Sequence, residues 1–210
     1  MTDPARAERH EAVNELKRGL ILNAARRVFE AEGLEGATMR AIAKEAGYTA
    51  GAIYFHFPSK EAIYGAVLRE MLERLQTAIN TAVEQTPKAS QRLRRAALGF
   101  FDFFARNPRD LDFGFYLFKG GMRPRGLSPE LDAELNDRLA QSLAPIGAAA
   151  EAMGADQAHA RTVTAGVFGH ATGLLLLEHT RRLRLYSNDP RALMETYLDR
   201  VLADLLPRGG

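Results

Sequence analysis

Three polar side chains close together in the sequence have the types expected of a phosphate-binding surface. They are Tyr54, His56 and Lys60, and no acidic residue occurs between Ala46 and Lys60. Phenol, imidazole and ammonium groups all donate hydrogen bonds to phosphate oxygens, and such contacts position a protein on a nucleic acid without reading its sequence. The pattern therefore predicts a surface that accepts phosphate groups.

Two short helices joined by a tight turn are predicted to carry these side chains. Thr38 and Thr49 are favourable N-cap residues, and Gly47 suits a left-handed helix end between them. Ile42 and Ile53 fall on the inner faces of the two helices at helical spacing. This is the layout of a helix-turn-helix, whose second helix lies in the DNA major groove.

The residues on the outward face of the second helix have small side chains, except for one aromatic residue. These positions are Ala50, Gly51, Ala52 and Phe55. Small side chains let the helix lie deep in the groove but make few direct hydrogen bonds to base edges. Specificity is then expected from thymine-methyl contacts, from Arg40 and from DNA shape. The predicted DNA contacts are Thr38, Arg40, Thr49, Ala50, Gly51, Ala52, Tyr54, His56 and Lys60.

The same stretch resembles the TetR family of transcriptional regulators. The matching residues are Gly47, Thr49, Ile53, Tyr54, His56, Phe57, Ser59, Lys60, Glu61 and Ile63, with Phe29, Gly33 and Thr38 upstream. The resemblance covers the chain up to about residue 65. It implies a homodimer, formed through the last two helices, that binds a double-stranded DNA operator of pseudo-palindromic sequence. It also implies release by a small-molecule effector, usually with repression as the outcome.

Helical periodicity continues along the rest of the chain, so the predicted fold class is all-α. A first helix over Leu16–Glu32 covers the helix-turn-helix, and a long helix from Ser59 towards Pro87 joins this three-helix unit to a C-terminal helical bundle. The predicted divisions are a flexible arm (1–15), a helix-turn-helix DNA-binding domain (16–62) and a ligand-binding and dimerisation domain (63–207).

Most of the phenylalanines lie between Phe100 and Phe118. Such a cluster is typical of a bundle core, and an apolar ligand cavity among helices is built from the same positions. The residues predicted to line a cavity are Phe104, Phe113, Tyr116, Leu117, His170 and Leu174. His170 lies in an uncharged run, so it is interpreted either as a core histidine bonded to nearby backbone or as a polar anchor for a ligand.

The composition argues against several functional classes. The chain has no cysteine, no Gly-x-Ser-x-Gly elbow and no Gly-rich phosphate loop, and its five histidines are not spaced as metal ligands. We therefore predict no catalytic residue, no metal, no cofactor and no enzyme activity. The N-terminus lacks an apolar signal core and no run is long enough to span a membrane, which predicts a cytoplasmic protein without a membrane partner.

Two alternatives remain at this point. The helical domain could be a small-molecule-binding protein or enzyme with a vestigial DNA-binding unit, as the aromatic cluster allows. The chain could also be a non-specific architectural DNA binder, but the net charge is only +2. So small a net charge gives the whole protein no general attraction to DNA. The prediction of DNA binding therefore depends on where the charged residues lie.

Overall fold

The computed structural model describes residues 4–115 and 127–205, and every regular element in these ranges is helical. The prediction of an all-α fold is confirmed. The α-helices are α1 (Pro4–Gly36), α2 (Met39–Ala46), α3 (Ala50–His56), α4 (Lys60–Val83), α5 (Ala89–Arg106), α6 (Pro108–Phe115), α7 (Pro129–Ala152), α8 (Gln157–His179) and α9 (Pro190–Leu205). A short 3-10 turn, Leu183–Leu185, precedes α9.

Helix α1 differs from the prediction at its start. It begins at Pro4, so residues 4–15, for which the sequence predicts a flexible arm, are helical in the structure. Proline is well placed at a first helical position, and the following run of Ala, Arg and Glu has high helix propensity. At the other end Gly33 has non-helical φ and ψ angles of 70° and 175°. The predicted helix end at Glu32 therefore coincides with a real break in the helix.

The chain divides into two compact units. Of the described residues, the N-terminal unit contains those up to Glu70 and those between Asp112 and Ala133. The C-terminal unit contains Met71–Leu111 and the described residues from Glu134 onward. The first boundary falls inside α4, since this helix runs without a break from Lys60 to Val83.

An aromatic cluster anchors the core of the N-terminal unit. The ring of Tyr64 meets that of Phe29 edge-on at a centroid distance of 5.0 Å, and Phe113 lies 6.0 Å from Tyr64. The buried Tyr64 hydroxyl donates a hydrogen bond to the carbonyl oxygen of Phe113 at 3.2 Å. Ile42 and Ile53 are completely buried in the same unit. This core gives α2 and α3 the apolar support that two such short helices lack on their own.

The C-terminal unit is a helical bundle with its own core. The buried face of α5 contains several large apolar residues, and Phe100 meets Phe168 of α8 at a centroid distance of 5.6 Å. Arg74 of α4 forms a two-pronged ion pair with the buried carboxylate of Asp110 at 2.9 and 3.1 Å. Within the described residues, no helix has the length and apolarity needed to cross a membrane.

Candidate nucleic-acid interface

The turn between α2 and α3 is built from the caps that the sequence predicts. The hydroxyl oxygen of Thr38 accepts a hydrogen bond from the amide of Ala41 at 3.1 Å, and that of Thr49 accepts one from Ala52 at 3.2 Å. Gly47 has φ 73° and ψ 27°, in the left-handed region, where a side chain is unfavourable. The predicted helix starts and the predicted turn are confirmed.

The inner and outer faces of α3 are clearly separated. Ile53 is 0% exposed, whereas Tyr54 is 55% exposed and Phe55 is 77% exposed. Gly51 and Ala52 are also exposed, as are Thr38, Arg40 and Thr49, while Ala50 and His56 are half-buried. The structure therefore places most of the predicted DNA-contacting residues at the surface of this helix-turn-helix.

Lys60 has a different environment from the one predicted for it. Its ammonium group donates hydrogen bonds to the carbonyl oxygens of Leu34, Glu35 and Ala37 at 2.8, 3.1 and 3.0 Å. An ammonium group has only three N–H donors, and all three are directed to these carbonyls. The geometry therefore argues against the predicted phosphate contact and gives Lys60 a positioning role, because it ties the start of α4 to the segment between α1 and α2.

Two further contacts shape the charge around α3. The guanidinium of Arg27 pairs with the carboxylate of Glu45 at 2.5 Å, which neutralises an acidic side chain near the C-terminal end of α2. The guanidinium of Arg18 lies over the ring of Phe57, 4.4 Å from its centroid. Sequence reasoning missed both contacts, since each joins residues from separate segments of the chain. Arg18 thereby holds α1 against Phe57, the residue that follows α3.

The sequence that forms this helix-turn-helix matches a known protein family. Residues 21–67 match the family model for bacterial regulatory proteins of the tetR family. The matched range contains the second half of α1, all of α2 and α3, and the start of α4. Residues 21–67 are therefore a domain of the tetR-family type.

Curated relatives are similar to this chain over part of their length. The transcriptional activator FasR of Mycolicibacterium smegmatis is 40% identical over 87 residues, which are 41% of this chain and 40% of that protein. The regulator EthR of the same organism is 34% identical over 42% of this chain and 41% of its own length. The chain thus spans about two fifths of the length of these relatives.

Solved structures extend the likeness to the whole TetR-type fold. A tetR-family regulatory protein from Rhodococcus RHA1 has a TM-score of 0.66 at 25% identity, covering 90% of this chain and 97% of that one. The putative regulatory protein SCO4313 has a TM-score of 0.74 at 18% identity, covering 93% and 98%. FadR from Bacillus subtilis, solved with stearoyl-CoA, has a TM-score of 0.66 at 20% identity, covering 91% and 98%. At such identities, the last two likenesses show the fold alone.

The residues predicted to bind a ligand fall in different places. Phe104 is buried against Phe100 and Phe103 in the C-terminal unit, at centroid distances of 5.0 and 5.1 Å. Phe113 belongs to the core of the N-terminal unit, where it packs on Phe29 and Tyr64. Tyr116 and Leu117 lie outside the described residues.

His170 and Leu174 lie one helical turn apart on α8. Leu174 is buried, and the half-buried His170 ring stacks on that of Tyr197 at a centroid distance of 4.0 Å and an interplanar angle of 13°. Burial lowers the pKa of His170, and the nearby Arg200 lowers it further, while a hydrogen bond with the Leu193 backbone acts in the opposite direction. His170 Nε2 is shielded from solvent and has no hydrogen-bond partner among the described residues. It is thus a polar group that a ligand could satisfy.

A groove of about 460 Å³ lies among α4, α5 and the start of α9, away from His170 and Leu174. Its apolar wall includes Ala82, Leu98 and Phe103, and its polar rim includes Arg95, Asp102, Asn107 and Arg191. None of the predicted ligand-binding residues lines this groove. Arg191 is already paired with Asp102 at 3.2 Å, and Arg95 donates a hydrogen bond to Thr86 at 3.0 Å. Within the described residues, no cluster of histidine and carboxylate side chains could hold a metal ion.

Proposed function

We propose that the protein is a ligand-responsive transcriptional regulator that represses its target genes by binding a pseudo-palindromic operator as a homodimer. One observation carries the proposal. Helix α3, capped at Thr49 and supported by the buried Ile53, presents exposed side chains in a stretch without acidic residues, inside a domain that matches the tetR family model. Such a helix can enter the major groove without repelling phosphate.

The proposed contacts fall into two groups. Tyr54 and His56, together with Thr38, donate hydrogen bonds to backbone phosphates and position the domain on DNA. Thr49, Ala50, Gly51 and Ala52 lie nearest the base edges, and Arg40 of α2 reaches the DNA from the side. Lys60 is left out of the phosphate group because its ammonium is directed to three carbonyl oxygens.

Helices α8 and α9 are proposed as the dimer interface. Leu176 and Leu177 of α8 are 36% and 40% exposed, an unusual position for two adjacent leucines near the end of a helix. Gly169 and Gly173 lie one turn apart on α8, and a Cβ atom added to either would meet nothing within 4 Å. The backbone is thus open to a close approach by another helix. Two such helices from each protomer would form a four-helix bundle.

The proposed effector is a small, mostly apolar molecule bound in the C-terminal domain. Phe104, His170 and Leu174 are the residues of the C-terminal unit proposed to contact it. Phe113 packs in the core of the N-terminal unit and is not proposed as a contact. The effector releases DNA only if it binds more tightly to the arrangement that cannot bind DNA. Among the relatives, FasR is named an activator and KstR2 of Mycobacterium tuberculosis a repressor. Of these two effects on transcription, we propose repression for this protein.

A selection experiment combined with sedimentation tests this proposal. Purified protein is equilibrated with a library of random duplexes, and the bound fraction is sequenced. We expect a pseudo-palindrome with half-sites about 10 base pairs apart, or a multiple of that spacing, and two protomers or more per duplex by analytical ultracentrifugation. Enrichment of no motif would contradict sequence-specific regulation. A motif without symmetry, bound by one protomer, would contradict the dimer.

A further inference from the structure

The most exposed aromatic side chain of the helix-turn-helix is Phe55. It is 77% exposed, although a phenyl ring fully buried in a protein gains about 1.5–3 kcal/mol. Its ring meets the ring of the neighbouring His56 edge-on, at a centroid distance of 5.2 Å. The ring therefore extends outward from α3 rather than covering the core beneath it.

Phe55 lies on the same face of α3 as the smallest residues of the helix. Gly51 and Ala52 precede Phe55 by four and three residues, so the three lie on one helical face. A Cβ added at Gly51 would have its nearest neighbour, the Thr49 hydroxyl oxygen, at 4.0 Å. The surface beside the phenyl ring is thus low, and the ring protrudes from it.

We infer that Phe55 is a specificity-determining residue that recognises thymine by contact with its C5-methyl group. The inference depends on the proposed function of α3 as the recognition helix. Thymine is the only base that presents a methyl group in the major groove, and apolar side chains recognise it by contact. A phenyl ring has no hydrogen-bond donor or acceptor, so Phe55 cannot take the phosphate-contacting role proposed for Tyr54.

The same ring disfavours other bases at that position. Guanine presents N7 and O6 acceptors in the major groove, and cytosine presents an amino donor. A phenyl ring against these groups would remove their water without offering a hydrogen bond, and such unsatisfied groups are costly. Phe55 therefore discriminates in two ways, by favouring the thymine methyl and by penalising polar base edges.

Removal of single methyl groups from the DNA tests the inference directly. The duplex enriched by the wild-type protein is resynthesised with deoxyuridine in place of each thymine in turn, and affinities are measured by fluorescence anisotropy. At one or two thymines per half-site we expect the wild-type affinity to fall roughly three- to fivefold, the value of one buried methyl-sized group. The Phe55→Ala variant should bind the thymine and deoxyuridine duplexes equally at those positions.

Two control variants make the result specific. Tyr54→Phe keeps an aromatic ring next to Phe55 and should keep the deoxyuridine sensitivity while binding all duplexes more weakly. Tyr186→Ala removes a 90% exposed aromatic side chain in the other compact unit and should leave DNA binding unchanged. Because the Phe55 side chain is outside the core, Phe55→Ala should melt within a few degrees of the wild type, and Phe55→Gln provides a second variant.

The outcomes separate the inference from the proposed function. If the wild type enriches a motif but both Phe55 variants show the same deoxyuridine sensitivity and enrich the same motif, the inference is overturned and the function is not. A wild-type motif without thymine in the half-sites would also overturn the inference. If the wild type enriches no motif at all, the proposed function fails first and the inference fails with it.

Discussion

The ammonium nitrogen of Lys60 lies 2.8 Å from the carbonyl oxygen of Leu34. The hydrogen bond joins the first residue of α4 to the end of α1, where carbonyl groups lack helical partners and a cation is favourable. Two more carbonyls, on Glu35 and Ala37, accept from the same nitrogen. The segment that leads into the Thr38 cap is therefore held to α4 by one side chain.

Replacement of Lys60 should separate positioning from phosphate contact. We expect Lys60→Met to lower the free energy of unfolding by about 1–3 kcal/mol, because three carbonyls lose a charged donor. DNA affinity should fall, but the slope of log affinity against log salt should not change. Loss of a phosphate contact would instead reduce the slope by about 0.9.

Arg40→Ala is the matched comparison for the Lys60 variant, because Arg40 is exposed on α2 and is proposed to contact DNA. Thermal melting and anisotropy titrations at several salt concentrations measure both quantities. A Lys60→Met protein with wild-type stability and a reduced salt slope would restore the phosphate contact that the sequence predicts.

Thr49 allows the folding of α3 to be separated from its binding to DNA. Its hydroxyl oxygen caps α3, so Thr49→Ala should cost about 1 kcal/mol of stability. Aspartate caps equally well, so Thr49→Asp should melt close to the wild type. Its negative charge at the groove-facing surface should nevertheless abolish DNA binding. Strong DNA binding by the aspartate variant would show that the start of α3 does not face DNA.

The two glycines that flank Thr49 should respond in opposite ways to alanine. Gly47 has a positive φ, so Gly47→Ala should cost about 1–2 kcal/mol, and Gly47→Asn should cost less because asparagine tolerates this conformation. Gly51 is helical and open, so Gly51→Ala should stabilise the unbound protein by about 0.5–1 kcal/mol. Chemical denaturation measures each change. Equal effects at both positions would contradict the assigned backbone conformations.

The depressed pKa of His170 predicts a pH dependence of stability. Since burial lowers the pKa below its ordinary value of 6.5, the unfolded chain binds a proton more readily than the folded one. The contribution is complete above pH 6.5 and is lost as the pH falls from there towards the folded-state pKa. The wild type should therefore lose stability as the pH falls below 6.5, and His170→Gln should lose less of it.

His159 provides the control for this measurement, because it is exposed near the start of the same helix. Melting temperatures are recorded across the pH range for the wild type, His170→Gln and His159→Gln. We expect the His159 variant to follow the wild type. A His170 variant with an unchanged pH profile would contradict the assignment of the acid sensitivity to this ring.

Local sequence signals explain why the helix-turn-helix was predictable. Thr38, Gly47 and Thr49 act within three or four residues of themselves, through caps and a left-handed turn, and the structure confirms each of them. The burial of Ile42 and Ile53 follows from helical spacing alone. Such features require no knowledge of which distant segments meet.

Contacts between distant segments were not predictable in the same way. The three acceptors of Lys60 are backbone carbonyls more than twenty positions away, and no residue type marks a carbonyl as an acceptor. Phe113 is a second example. The aromatic residues near it in the sequence suggest a ligand cavity, but in the structure it packs on Phe29 and Tyr64 in the N-terminal unit. The helix over residues 4–15 contradicts the predicted flexible arm, although its Ala, Arg and Glu residues have high helix propensity.

Sequence-specific DNA binding is the central claim, and one titration tests it most directly. Protein is titrated by fluorescence anisotropy against the DNA immediately upstream of its own coding sequence and against a scrambled duplex of equal length and composition, at two salt concentrations. The account predicts a preference of about a thousandfold or more for the upstream fragment at both salt concentrations. Equal, steeply salt-dependent affinities for the upstream and scrambled duplexes would contradict it.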